Sequence, residues 1–253
     1  MPLLDVDNVG VRFGGVVALD GLTFGVEQGT ICALIGPNGA GKTTLFNVLS
    51  RLYQPTSGNV TFDGKNLLSV PAHKIADLGL ARTFQNVALF PALTVLENVV
   101  TGAHALGHVG FGRSMLRIGA AREERKLRTR CLDLLDRLDL APLAHRPVAG
   151  LPFGTLKRIE FARALATEPK LLMLDEPANG LTHSEVDALG ETIRSIRDQF
   201  DLTILLVEHH MAMVMTISEH IVVLDFGRKI ADGPPESVRN DPIVIEAYLG
   251  APA

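Results

Sequence analysis

Residues 36–43 read Gly-Pro-Asn-Gly-Ala-Gly-Lys-Thr and fill every fixed position of the pattern G-x-x-x-x-G-K-[ST]. Few folds can hold such a stretch, because it requires a buried strand before it and a helix after it. Both flanks are present: Ile31-Cys32-Ala33-Leu34-Ile35 is an apolar run of strand length, and Leu45, Val48, Leu49 and Leu52 follow at helical spacing. Glycine at Gly36, Gly39 and Gly41 lets backbone N–H groups turn inward where a Cβ would block them, with Pro37, Asn38 and Ala40 completing the turn. A helix opening near Lys42 aims its positive end at the same point. Lys42 adds a full charge for β- and γ-phosphates, Thr43 a hydroxyl for Mg²⁺, and Thr44 lies one residue further into the same turn. The expected ligand is a nucleoside triphosphate with Mg²⁺.

With 253 residues the chain can bury a sizeable core without disulfides, and its two cysteines, Cys32 and Cys131, have no metal or redox spacing. The formal charge of −4 gives no electrostatic footprint for nucleic acid. Apolar stretches such as 202–207 and 221–224 are strand-length, well short of the ~20 residues of a bilayer helix. The start, Met1-Pro2-Leu3-Leu4-Asp5, lacks the basic and apolar regions of a secretory signal, so a reducing cytoplasm is the expected location.

Up to about residue 27 the chain alternates apolar and polar residues, with Val9, Val11, Phe13, Leu22, Phe24 and Val26 marking antiparallel strands. Another strand is expected over 58–64. From about 86 to 165 the character is helical, and the clearest helix spans about 123–140, with Leu127, Cys131, Leu134, Leu135 and Leu138 on one stripe. Strands return at 171–174, 202–207 and 221–224, separated by helices such as 185–198, whose start offers Thr182 and Glu185 as a capping box. Strand and helix in alternation imply a parallel sheet.

Two further sites carry chemistry. The strand at 171–174 ends in Asp175-Glu176, and successive side chains of a strand point oppositely, so the two carboxylates have different tasks. Asp175 suits the Mg²⁺ shell, and Glu176 suits polarising a water for in-line attack on the γ-phosphate. The strand at 202–207 ends in Glu208-His209-His210, on the sheet edge where α/β proteins bind ligands. Residue chemistry alone does not choose between the two histidines. His104 and His108 stand at i, i+4, but Gly107 intervenes and no third metal ligand is evident, so both are read as surface residues.

Taken together, Gly36–Thr43, Arg82-Thr83-Phe84-Gln85, Leu151-Pro152-Phe153-Gly154-Thr155-Leu156-Lys157-Arg158, Leu174-Asp175-Glu176-Pro177 and Val207-Glu208-His209 resemble, in order and over essentially the whole chain, the ABC-type ATPase subunits. The resemblance implies an α/β fold, a P-loop NTPase (RecA-like) core with an N-terminal antiparallel β subdomain and an inserted α-helical subdomain. Residues 1–85 and 166–253 would form the catalytic core and 86–165 the helical, signature-bearing part. It further implies that Gln85 senses Mg²⁺ and the γ-phosphate, that His209 is the switch histidine and that Phe13 stacks on adenine. Glu176, His209 and Lys42 would be catalytic; Thr43, Gln85 and Asp175 would face the metal.

The phrases Arg82–Asn86 and Asp175–Leu181, the insert around 107–130 and the ending Glu246-Ala247-Tyr248-Leu249-Gly250 resemble the larger ATPase subunit of branched-chain amino-acid importers. That branch implies a second ATPase subunit, two membrane permease subunits, an extracytoplasmic binding protein acting indirectly and a place on the inner face of the membrane. Two other readings stand beside it: a soluble ABC-type ATPase acting on ribosomes or DNA, and a nucleotide-gated partner with little turnover. Two departures matter. The signature loop, usually Leu-Ser-Gly-Gly-Gln, reads Leu151-Pro152-Phe153-Gly154-Thr155, and Thr182 stands where the family has an aspartate. The basic stretch Arg122–Arg130 is either a solvated helix face or a surface toward the membrane subunit and anionic headgroups.

Overall fold

The computed structural model describes residues 2–83, 88–104 and 120–249, with side chains at 120–123 and 249 left aside. In chain order the strands and helices are β1 (Leu4–Phe13), β2 (Val16–Val26), β3 (Ile31–Ile35), α1 (Lys42–Leu49), β4 (Ser57–Phe62), β5 (Lys65–Asn66), β6 (Leu80–Arg82), α2 (Val95–Ala103), α3 (Ala120–Arg137) and α4 (Phe153–Leu165). The remainder comprises β7 (Leu171–Asp175), α5 (His183–Phe200), β8 (Thr203–Val207), α6 (Met211–Ile217), β9 (His220–Asp225), β10 (Arg228–Gly233), α7 (Pro235–Arg239) and α8 (Pro242–Leu249). The chain divides into two compact units, residues 1–75 with 170–253, and residues 76–169.

The first unit holds two sheets. One is antiparallel, in the order β2-β1-β4-β5. Its β1 buries Leu4, Val6, Val9 and Val11 but leaves Phe13 exposed at its end. The other places β10, β9, β3, β8 and β7 side by side, with β3 parallel to both β8 and β9, and β8 parallel to β7. All five residues of β3, β7 and β8 are buried, as strands covered on both faces must be. On one face Ala33 and Ile35 pack with Val214, Ile221, Val223, Val238 and Val244. Strand β10 adds an antiparallel edge that the alternation of strands and helices did not foretell, by a hairpin turn at Phe226 and Gly227.

Parallel pairing puts the carboxyl ends of β3, β7 and β8 on one edge, so the loops that follow them gather there. Leu45, Val48 and Leu49 are buried under α1 as their spacing implies. Leu52 is not part of that stripe. The helix stops at Ser50, Arg51 turns left-handed at φ 60°, and Leu52 lies outside with 61 % of its surface exposed. Helix α5 is longer than its sequence periodicity suggests; the Glu185 carboxylate accepts from both the N–H and hydroxyl of Thr182 at its start.

The second unit is helical. Leu127, Cys131, Leu134, Leu135 and Leu138 are buried, although α3 ends at Arg137 rather than 140. Thr94 and Glu97 form a capping box that starts α2, and Gly102 lets this helix approach the backbone of Arg163, whose oxygen would lie 2.1 Å from an added Cβ. On α3, Arg128 pairs with Glu124 and Arg130 with Glu168, while Arg125, Lys126, Thr129 and Arg130 line an open groove of about 680 Å³.

Candidate nucleotide site

Between β3 and α1 the chain makes three left-handed glycine turns, with φ of 148° at Gly36, 84° at Gly39 and 103° at Gly41. Two of these are sterically obligatory. A Cβ on Gly36 would lie 2.1 Å from the Leu224 oxygen, and one on Gly41 would lie 2.7 Å from both the Ala18 oxygen and Leu19 Cδ2. The loop is also tied to the β9–β10 hairpin, since Gly227 donates its N–H to the Ala40 oxygen at 3.0 Å. The first i to i−4 bond of α1 runs from Leu45 N–H to Gly41 O, so the N–H groups of Lys42, Thr43 and Thr44 precede the helical ladder and suit an anion. We expect Gly36→Ala to cost about 2–5 kcal/mol through strain and overpacking. Gly39→Ala, with open space around its Cβ, should cost only about 1 kcal/mol. Denaturant unfolding of the two variants checks this; equal losses would mean that the close approach at Gly36 is not what holds the loop.

Lys42 is buried, and its ammonium donates to the Gly36 oxygen at 2.6 Å and the Pro37 oxygen at 2.9 Å. Burial pulls its pKa below the ordinary lysine value, and the carboxylates of Glu176 and Asp175 push it back up. Lys42, Asp175 and Glu176 therefore share one electrostatic site. Asp175, at the end of β7, is 7 % exposed, whereas Thr43 is exposed at the first turn of α1. A threonine hydroxyl and a carboxylate offer the hard oxygen donors that Mg²⁺ prefers, and the glycine cradle fits phosphate oxygens.

Glu176 continues the parallel register by donating its N–H to Val207 O at 2.9 Å, with φ at 47°. A non-glycine residue in that region is strained. Beside it, β8 runs out into Glu208, which is 1 % exposed. One carboxylate oxygen of Glu208 accepts from Ala178 N–H at 2.7 Å, and the other accepts from the N–H groups of His209 and His210 at 2.8 and 3.1 Å. His210 Nδ1 lies 3.0 Å from that second oxygen, and the two imidazole rings are 4.5 Å apart. The His209 side chain is the more open of the two, 56 % exposed against 26 % for His210.

Phe13 is half exposed and meets Tyr53 edge to face, with ring centroids 5.2 Å apart. Gln85 lies outside the described residues, as does His108. Two residues of the site were not singled out by sequence reasoning. Glu208 had a signal, a carboxylate directly after the apolar run Ile204-Leu205-Leu206-Val207. Tyr248 on α8, whose hydroxyl meets the Gly36 amide and is pushed by burial up to about 12, had none short of the folded chain.

In the helical unit, Pro152 sits at the N-cap of α4 and Gly154 has open space about it. Lys157 is buried with Glu160 at 3.5 Å, its ammonium 5.7 Å from the Phe153 ring centre.

Comparison with known proteins matches this architecture. The ABC transporter family profile covers residues 19–179, and that of the branched-chain amino acid ATP-binding cassette transporters covers 228–253. Over 250 residues, and 98 % of both chains, the sequence is 43 % identical to the high-affinity branched-chain amino acid transport ATP-binding protein BraF of Pseudomonas aeruginosa. It is 41 % identical to the corresponding LivG of Escherichia coli over the same shares of each chain. Among solved structures, a nucleotide-free ATP-binding cassette from an ABC transporter superposes with a TM-score of 0.85 at 30 % identity, over 99 % of this chain and 100 % of that one.

Proposed function

The chain belongs to the ABC transporter ATP-binding family, and from that premise we propose that it is the ATP-hydrolysing subunit of an importer of branched-chain amino acids. The observation that carries this reading is one site in which a glycine cradle, Lys42, Asp175 and Glu176 come together, in a chain related to such subunits over 98 % of its length.

The residues divide the work as follows. The loop N–H groups of residues 38, 39 and 41–44 and the Lys42 ammonium hold the triphosphate, and Phe13 stacks on adenine with Tyr53 against its edge. Thr43, Asp175 and Gln85 would hold Mg²⁺, which when bound supplies charge neutralisation between the β- and γ-phosphates. Glu176 accepts a proton from the attacking water as that water adds to the γ-phosphorus and the bond to the ADP oxygen breaks. His209, the more open histidine, faces the γ-phosphate. The chain works in a complex of a second ATPase subunit and two membrane permeases on the cytoplasmic face, with a binding protein delivering substrate from outside. No described helix is long and apolar enough to cross a membrane; in this reading the membrane permeases carry the path for the solute. Deleting the gene should abolish uptake of labelled leucine, and wild type but not Glu176→Gln should restore it. Unchanged uptake would reject the assignment.

The structure of α4 bears on asymmetry. In this family each nucleotide lies between one subunit's phosphate loop and the other's signature loop. Pro152 has neither the serine hydroxyl nor an N–H to offer the partner's nucleotide, and loss of one preorganised donor costs about 3 kcal/mol in comparable sites. With an intact loop on the partner, hydrolysis should be faster at this chain's own site. Glu176→Gln here should lower turnover of the complex far more than the equivalent change in the partner; equal losses would make Pro152 a neutral substitution.

A further inference from the structure

We propose that Glu208 is a positioning residue that locks the segment following Glu176 to the histidine segment, so that base and switch are presented to the γ-phosphate in one fixed geometry. The proposal rests on the functional reading above and concerns the same site. Its basis is a fully buried carboxylate whose two oxygens face different loops: one accepts from Ala178 N–H, two residues after Glu176, and the other from His209 N–H, His210 N–H and the His210 ring. Thirty residues of chain separate the ends of that bridge. Charge-assisted bonds from buried N–H groups are the stronger kind, and breaking them strands the donors.

The parallel register explains how the bridge arises. Asp175 pairs with Val207, and Glu176 donates to Val207 O, so the next residue of β8 emerges directly beside the turn at 176–178. The left-handed conformation of Glu176, φ 47°, needs an anchor on its far side, and Ala178 N–H bound to Glu208 is that anchor. On the histidine side, Glu208 Oε2 lies 3.0 Å from His210 Nδ1 and 3.8 Å from His209 Nδ1, so it holds the His210 ring the closer, and the His209 ring is the more exposed of the two. Glu208 does not touch the reacting atoms; it acts through the two groups that do.

Glutamine is the informative substitution, since it keeps the size but has one accepting oxygen and one donating NH₂. Whichever way the amide sits, one side sets donor against donor, and the bridge is cut on that side. In the assembled complex, E208Q should lower kcat about 10- to 100-fold while the Kd for MgATP stays within about threefold, the signature of misplaced groups. Its melting temperature should stay within a few degrees of the parent. Wild-type kcat in E208Q overturns the proposal. Loss of turnover in step with MgATP affinity or with melting at the assay temperature also overturns it, because Glu208 would then serve folding alone. The parent complex and Glu176→Gln are measured alongside: a parent without turnover would reject the functional reading itself, whereas an active parent with unaltered E208Q rejects only the bridge.

Discussion

Glu176→Gln should lower ATP hydrolysis by the assembled complex about 10²–10⁴-fold while leaving MgATP bound, the range general-base removal produces. The amide preserves the shape of the side chain and the backbone bond from Glu176 N–H to Val207 O, so the strained turn at 176–178 is kept. What is lost is the capacity to take a proton from water. Because nucleotide is retained but not cleaved, an ATP-bound dimer should accumulate, measurable by gel filtration with labelled ATP. Near wild-type turnover would remove Glu176 from the role of base.

Lys42→Ala should act earlier, on binding. Its ammonium is buried and held by the Gly36 and Pro37 oxygens, and the nearby Asp175 and Glu176 carboxylates favour its charged form. A charged hydrogen bond of about 1.5–3 kcal/mol corresponds to roughly 10- to 100-fold in Kd, and that weakening is expected in a titration of the isolated chain with a non-hydrolysable ATP analogue. Loss of the lysine also frees two loop carbonyls, so the loop itself should exchange its amide hydrogens faster. Unchanged affinity would contradict the phosphate-loop assignment.

The two variants separate the parts of the account that local sequence made visible. The phosphate loop and its flanking strand and helix were legible because glycine, lysine and threonine at fixed spacing answer to local backbone geometry, and φ values at Gly36, Gly39 and Gly41 bear this out. The stripe on α3 was legible because one helical period decides which side chains are buried. Leu52 misled because periodicity says nothing of where a helix ends, and here Arg51 in a left-handed turn ends it. Strand β10 was missed because its pattern, exposed at Arg228 and Lys229, is that of an edge strand with little apolar alternation. Glu208 and Tyr248 depend on contacts with residues far away in sequence, Ala178 and Gly36, which only strand register and the docking of α8 bring near. The same holds for the two histidines: their types are alike, and what sets them apart is the closer approach of the His210 ring to Glu208 and the greater exposure of His209.

If this chain converts ATP hydrolysis into import of branched-chain amino acids, labelled leucine should be taken up by proteoliposomes that contain the whole transporter. The vesicles carry the chain with its membrane partners, the binding protein outside and MgATP on the side of the ATPase. Leucine should accumulate only when MgATP is present, and accumulation should disappear with Glu176→Gln in this chain. Accumulation that persists without ATP or with Glu176→Gln, or active ATP hydrolysis with no leucine uptake, would contradict this coupling.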